Sequence, residues 1–284
     1  MIERHVLNLG AGVQSTALYL MMMEGRAPKI EAAVFADTQE EPAAVYRHLE
    51  WLIALNGPRI IVATLGKLGD DLLRGEALYR VRFAAIPSFI LNPDGRVGRT
   101  RRQCSKDYKI LVIERAIRRE VCGLQPRQRV PKNTKIHQYF GISLDEKSRA
   151  TRIWERHHVQ KESIGEPHFP LIEMQMTRAN CLDYLEKRVP HPVPRSACVF
   201  CPFHTDLEWQ RLKDAGGPDW DRLVQIDHGI RQEGVVVNRN MNLPMFLHRA
   251  CKPIDEIDFK PKTNPKEMQL GFGFGEECEG VCGV

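Results

Sequence analysis

Apolar and polar positions alternate in a strand–helix rhythm through the first third of the chain. Val6, Leu7 and Leu9 form an apolar strand near 5–10, followed by a glycine turn. The residues beyond it, Ala17, Leu18, Leu20 and Met21, fall at helical spacing and predict a helix near 14–25. EAAVFAD reads as a second strand ending at Asp37. A helix follows, starting near Glu41–Pro42 and running to about Leu55. Pro42 suits a first helical turn, and Glu40 and Glu41 suit its positive end. RIIVAT, 59–64, is a third strand. Apolar strands in strand–helix–strand order predict an α/β fold with a parallel sheet and helices on both faces.

Further on the pattern is looser. LGDDLLRG, 68–75, suggests a short helix, and NPDGRVGRTRR, 92–102, an exposed basic loop. A helix near 106–121 follows Ser105 as a plausible cap. TKIHQYFGI, 134–142, reads as a returning strand, and TRANCLDYLEKR, 177–188, as a helix. The Pro-rich run VPHPVPRS, 189–196, marks a boundary. The expected organisation is a Rossmann-like domain over 1–190 and a small, mainly helical, Cys-containing region over 191–284. That region contains helical stretches at 206–215 and 218–232 and a Gly- and Glu-rich tail.

Composition narrows the setting. A hydrophobic share of 43% in 284 residues supports a buried core. The apolar runs are too short to span a bilayer, so no membrane partner is expected. An acid at Glu3 and an immediate strand argue against a signal peptide, and a cytoplasmic location is the default expectation. Eight cysteines in such a chain favour metal or redox use over disulfides. The net charge of +5 is mild. The cations cluster, however, from Arg96 through Lys109 and again from Arg115 to Lys135. The basic stretch 96–135 is either a solvated face or a surface for nucleic acid or nucleotide phosphates.

Four places in the chain carry candidate chemistry. In VLNLGAGVQST, 6–16, a strand runs through Gly10, Ala11 and Gly12 into a helix opened by Ser15 and Thr16. Glycine allows close backbone approach, and the first helical N–H groups lack chain partners, so this is an anion site with phosphate as its expected guest. Gln14 stands where a P-loop would carry Lys, and Ser15 where a dinucleotide fingerprint would carry Gly. Asp37 and Thr38 sit at a strand end, where a carboxylate can accept hydrogen bonds from ribose or adenine, or cap a helix. ACVFCPF, 197–203, is a CxxC turn. Its thiols Cys198 and Cys201 suit zinc, an iron–sulfur cluster or dithiol chemistry, with His204 as a further candidate ligand. Cys104 opens a predicted helix among Arg and Lys neighbours, which favours thiolate and suits a ligand or nucleophile. Cys122, Cys181 and Cys251 read as core thiols in helical contexts.

The loop resembles the pyrophosphate loop SGGxDS of the PP-loop ATP pyrophosphatase and PAPS reductase superfamily. Gly10, Ala11, Gly12, Val13, Gln14 and Ser15 fill its six positions, and Gln14 replaces Asp. Asp37 and Thr38 match the family's DTG, with Gln39 in place of Gly. RRQCSKDYKI, 101–110, is similar to RxCTxxxKI through Arg102, Cys104, Ser105, Lys109 and Ile110. GISLDEKSRA, 141–150, is similar to GIRxxES.R through Gly141, Ile142, Glu146, Ser148 and Arg149, with Ser143 in place of the first Arg. Arg149 can neutralise phosphate bidentately.

The resemblance implies ATP and Mg2+ at Gly10, Ala11, Gly12, Gln14, Ser15, Thr16, Asp37 and Thr38. It also implies a [4Fe–4S] cluster, with Zn2+ as the alternative, on Cys104, Cys198 and Cys201. Cys278 or Cys282 is a candidate fourth ligand, and an open fourth iron is the alternative. The leading expectation is an adenylylating, pyrophosphate-releasing sulfur transferase acting on a nucleic acid or nucleotide, with Glu146 and Arg149 at the substrate. The second is a PAPS or APS reductase with an electron donor and Cys278 as nucleophile. The third is a non-enzymatic nucleotide-binding module with a structural metal.

Overall fold

The structure is a computed structural model, and it describes residues 1–74, 86–232 and 243–260. Cys278, Cys282 and the Gly/Glu-rich tail lie outside the described residues.

The apolar run at 6–9 forms the middle of the molecule. β1 (Ile2–Asn8) pairs in parallel with β2 (Ala32–Asp37) on one side and with β6 (Thr134–Phe140) on the other. β3 (Arg59–Thr64) extends the sheet beyond β2, and β7 (Glu166–His168) beyond β6. The five strands are all parallel, in the order β3-β2-β1-β6-β7. A strand covered on both faces needs consecutive apolar residues. Leu7, Ala33, Phe35 and Tyr139 face α1 (Val13–Met23), α2 (Ala43–Ala54) and α7 (Arg178–Glu186). Val6, Val34, Ile136 and Phe140 face the other way, under α4 (Leu111–Ala116) and α5 (Lys147–His158). This is the predicted α/β class with helices on both faces.

The chain steps from β1 outward to β2 and β3, then returns to the opposite flank of β1 as β6. Crossovers that diverge in this way open a crevice at the carboxyl ends of the two central strands. The candidate chemistry gathers there.

Several local expectations change. Helical turns Lys106–Ile110 and Ile117–Val121 flank α4 with π-type bonding, so the predicted helix is one run with an uneven ladder. The predicted basic loop contains a hairpin strand. β4 (Phe89–Leu91) pairs antiparallel with β5 (Val97–Arg99) and with β8 (Met245–Phe246), because Asn92–Gly95 provides a turn within the run. The returning strand ends at Phe140 rather than at 142, and α5 starts at Lys147. Neither β7 nor α6 (Pro170–Glu173) shows an apolar run long enough to predict. Cys181 is buried in α7, but Cys251 sits in a turn at φ +48° rather than in a helix.

A third core lies across the Pro-rich run. Leu68 and Leu72 of α3 (Leu68–Arg74) and Tyr108 pack with Val199, Phe200, Trp209 of α8 (Asp206–Ala215), and Leu223 and Ile226 of α9 (Gly217–Gly229). Residues on both sides of 190 therefore share one apolar interior.

Candidate nucleotide loop and thiol pocket

The loop after β1 is held by its own atoms. Ser15 Oγ accepts from the N–H groups of Gly10 (3.3 Å) and Gly12 (3.2 Å) and donates to the Gly12 carbonyl (3.2 Å). Ala11 takes φ +54°, a left-handed conformation that glycine adopts freely and alanine with strain. The N-terminus of β6's exit loop presses on this turn from the side. A Cβ on Gly141 would lie 2.6 Å from Ser15 Cα and 2.7 Å from its nitrogen, so only glycine fits there. Thr16 points the other way, into the interior, where Oγ1 bonds His48 Nε2 at 2.9 Å. His48 Nδ1 in turn bonds His191 Nε2 at 2.8 Å. Burial, then the neighbouring His191, pushes the His48 pKa down to about 4, so this ring is neutral beneath the loop.

The crevice between β1 and β6 carries a polar network. Gln14 Nε2 donates to Glu146 Oε2 (3.0 Å), and Gln14 Oε1 accepts from Arg178 Nη1 (2.7 Å). Arg149 Nη1 donates to Glu146 Oε1 (3.0 Å), and the Arg178 backbone N–H reaches Asp145. The structure thus brings Gln14, Glu146 and Arg149 together. An Asp at position 14 has no donor for Glu146, which explains locally why Gln suits this chain. Arg178 was not assigned a site role from sequence; its only signal is a cation directly after the Thr177 cap.

The second cluster forms at the end of β2. Cys104, Cys198 and Cys201 line one pocket together with Thr38, Arg102, Ser105 and Lys109, walled by apolar Leu68, Ile86, Phe200 and Pro202. Thr38, expected at a nucleotide, places Oγ1 3.2 Å from Cys198 Sγ. Asp37 Oδ1 accepts from the Gln39 N–H (2.7 Å) and from Tyr46 Oη (2.9 Å), so the carboxylate also organises its own turn. Segment 38–42 anchors the CxxC turn. Val199 N–H donates to the Glu40 carbonyl (2.7 Å), and Ser196 Oγ donates to Glu41 Oε2 (3.2 Å). Arg222 of α9 donates through Nε to Glu40 Oε2 (3.1 Å).

Glu41 also pairs with Lys109 at 3.1 Å, with side chains only 0% and 7% exposed. Lys109 belongs to the RxCTxxxKI segment, so the residue was legible although its partner was not. Burial, and then the Glu41 carboxylate, pushes the Cys198 thiol well above its ordinary pKa, and Lys109 opposes that shift. His204 does not line the pocket. Its Nε2 lies 3.0 Å from the Cys198 carbonyl, where it braces the turn.

The thiol pocket and the loop are neighbours. The Ser196 backbone nitrogen lies 3.8 Å from where a Gly12 Cβ would stand, and Ser196 leads through Glu41 to Lys109 in the pocket wall. The described cysteines form no disulfide. Three soft donors, an apolar wall and two nearby cations are the chemistry that a [4Fe–4S] cluster or zinc takes, but the three sulfurs do not form one of the compact ligand groups, with atoms within 4.8 Å of one another, found among the described residues.

The basic stretch divides in two. The helical run 106–121 is about 24 Å long and runs from the pocket toward the amino ends of the strands. Arg102 lines the pocket and stacks, with Arg99, over Phe203 at 5.4 and 5.1 Å. Arg118 and Arg129 lie at the far end, beside Thr134 at the start of β6. Lys106 pairs with Glu162.

An α/β sheet with a glycine turn at its switch point and a three-thiol pocket beside it defines the class of site. No protein-family model matches the chain, and no curated protein matches it. Among solved structures it is similar to the U34-tRNA thiolase NcsA from Methanococcus maripaludis, solved with its [4Fe-4S] cluster. The identity is 15%, the TM-score is 0.36, and the match covers 80% of this chain and 72% of that one. Among the described residues, no helix is long and apolar enough to cross a membrane.

Proposed function

We propose that this chain is an ATP-dependent sulfur transferase of the PP-loop type, acting on a nucleic acid or nucleotide. The observation that carries the reading is the meeting of Cys104, Cys198 and Cys201 in one pocket next to the β1 turn. In this reading the turn at 10–16 holds the nucleotide's phosphates through the first-turn N–H groups of α1. Arg149 and Arg178 offset charge as pyrophosphate departs, Gln14 holds Arg178 in place, and Mg2+ is the metal at the phosphates. Asp37 orients the nucleoside, and Glu146 holds Arg149 in place. A [4Fe–4S] cluster on Cys104, Cys198 and Cys201 would supply the site at which sulfur is bound and presented. Phe200, Leu68 and Pro202 keep water from that pocket, and Lys109 offsets its negative charge. Arg99 and Arg102 at the pocket rim suit a polyanionic acceptor, which narrows the nucleic-acid surface to the first half of the basic stretch. The tRNA thiolase named above is compatible with this reading.

The test is pyrophosphate release from ATP with bulk RNA as acceptor, alongside detection of thiolated nucleosides. The wild type should do both. Cys104→Ser should still release pyrophosphate and form no thiolated product. Sulfite release from PAPS with a thiol donor, without pyrophosphate release from ATP, would move the assignment to the reductase.

A further inference from the structure

The opposite pole of the sheet carries a second set of metal-binding side chains that the proposed reaction does not use. At the amino ends of the central strands, Glu3 and His5 of β1 lie beside His137 of β6, in a register that pairs His5 with His137. One ligand atom from each of the three lies within 4.8 Å of the others. Hydrogen bonds identify these atoms. His5 Nδ1 bonds Tyr139 Oη at 2.9 Å, and His137 Nδ1 bonds His168 Nε2 at 2.8 Å, so both histidines present Nε2. His5 Nε2 already stands 3.6 Å from Glu3 Oε2. His137 is 9% exposed, and its Nε2 is a buried polar atom with no hydrogen-bond partner. Burying such an atom unpartnered costs free energy that a ligand would recover.

The geometry points to a divalent transition-metal site of two histidines and one carboxylate, with Zn2+ as the class of ion it fits best. Imidazole and carboxylate donors suit that ion and leave coordination positions for water. An outer contact also fits. A metal-ligating histidine is normally fixed through its other ring nitrogen, and His168 does this for His137. The two ligand rings stack with centroids 4.6 Å apart and 6° between planes. Parallel rings cannot both aim lone pairs at one ion, so binding turns His5 out of the stack and gives up its bond to Tyr139. Its side chain is 30% exposed and Glu3's is 54% exposed, which leaves room for that rotation and for entry of the ion. The site would tie β1 to β6 at the end of the sheet remote from the thiol pocket. It stands independently of the sulfur-transfer reading.

Co2+ is a probe that separates this site from the thiols, because cobalt on thiolate gives an intense near-ultraviolet charge-transfer band and cobalt on nitrogen and oxygen does not. Tag-free, full-length protein should take up one equivalent of Co2+ with weak visible bands and no thiolate band, and Zn2+ should displace it. Glu3→Gln and His5→Gln should weaken that equivalent at least tenfold and leave any thiolate-bound cobalt unchanged. Glu3 is exposed, so Glu3→Gln should keep the wild-type circular dichroism spectrum. Unchanged titration in both variants, or a thiolate band accompanying every equivalent of cobalt, would overturn the site.

Discussion

The glycine loop after β1 and the thiol pocket are neighbours built on different principles. The loop is local. Gly10, Gly12 and Ser15 close it through bonds among themselves, and Gly141 and Thr16 wedge it against β6 and α2. The thiol pocket is assembled at long range, from the start of the 104–121 helical run, the end of β2 and the turn at 198–201, tied by Glu40, Glu41 and Arg222. A locally closed turn keeps its shape without a guest. A pocket of buried thiols beside a buried ion pair depends on charge balance. The first should therefore tolerate loss of metal, and the second should respond to changes far from it in sequence.

The sharpest way to break this contrast is at the buried pair. Glu41→Gln leaves Lys109 charged and buried, which should cost about 3–5 kcal/mol in denaturant unfolding. The double variant Glu41→Gln/Lys109→Met should recover most of it. If Glu41→Gln were neutral, the pocket would not be organised by that pair.

Next in size is a pH effect under the loop. His48 takes up its proton near the ordinary 6.5 when unfolded but only near 4 when folded. Between those values the unfolded chain binds more protons. Stability should be full above pH 6.5 and fall as pH drops toward 4, by up to about 3 kcal/mol. Urea titrations at pH 7 and pH 4.5 measure this, and His48→Gln should flatten the difference.

Gly141→Ala tests the loop alone. Its Cβ meets backbone, which cannot swing aside, so a cost of about 1–3 kcal/mol and weaker binding of an ATP analogue are expected. Metal content should not change. The smallest effect tests the departures from the family's glycines. Gln39 stands at φ +58° and is exposed, so Gln39→Gly should raise stability by about 1 kcal/mol, read as a shift in the urea midpoint.

The same contrast explains what could be read from sequence. The loop was legible because its parts are consecutive: an apolar strand, a glycine turn and hydroxyl residues at a helix start. β3 at 59–64 and α8 at 206–215 were legible for the same reason, each having its own periodicity and ends. That Cys104 belongs with Cys198 and Cys201 came only through family resemblance, since no local pattern joins them. Thr16 and Thr38 show the limit. Their positions beside a glycine turn and a strand end suggest ligand contacts, whereas their hydroxyls turn to His48 and Cys198, partners set by tertiary packing. Arg178 was missed because nothing in its own segment signals that Gln14 needs a cation. Short elements such as β5, β7 and β8 are made by their neighbours rather than by their own sequence.

The central claim is that three thiols from separate parts of the chain hold one soft metal centre beside the phosphate turn. Anaerobic purification with iron, acid-labile sulfide and zinc analysis of the wild type and of Cys104→Ser tests it most directly. The account predicts brown wild-type protein with iron and sulfide in equal amounts near four per chain, and a colourless Cys104→Ser that still binds an ATP analogue. Wild-type protein holding neither iron nor zinc, or a Cys104→Ser that keeps its full metal content, would contradict it.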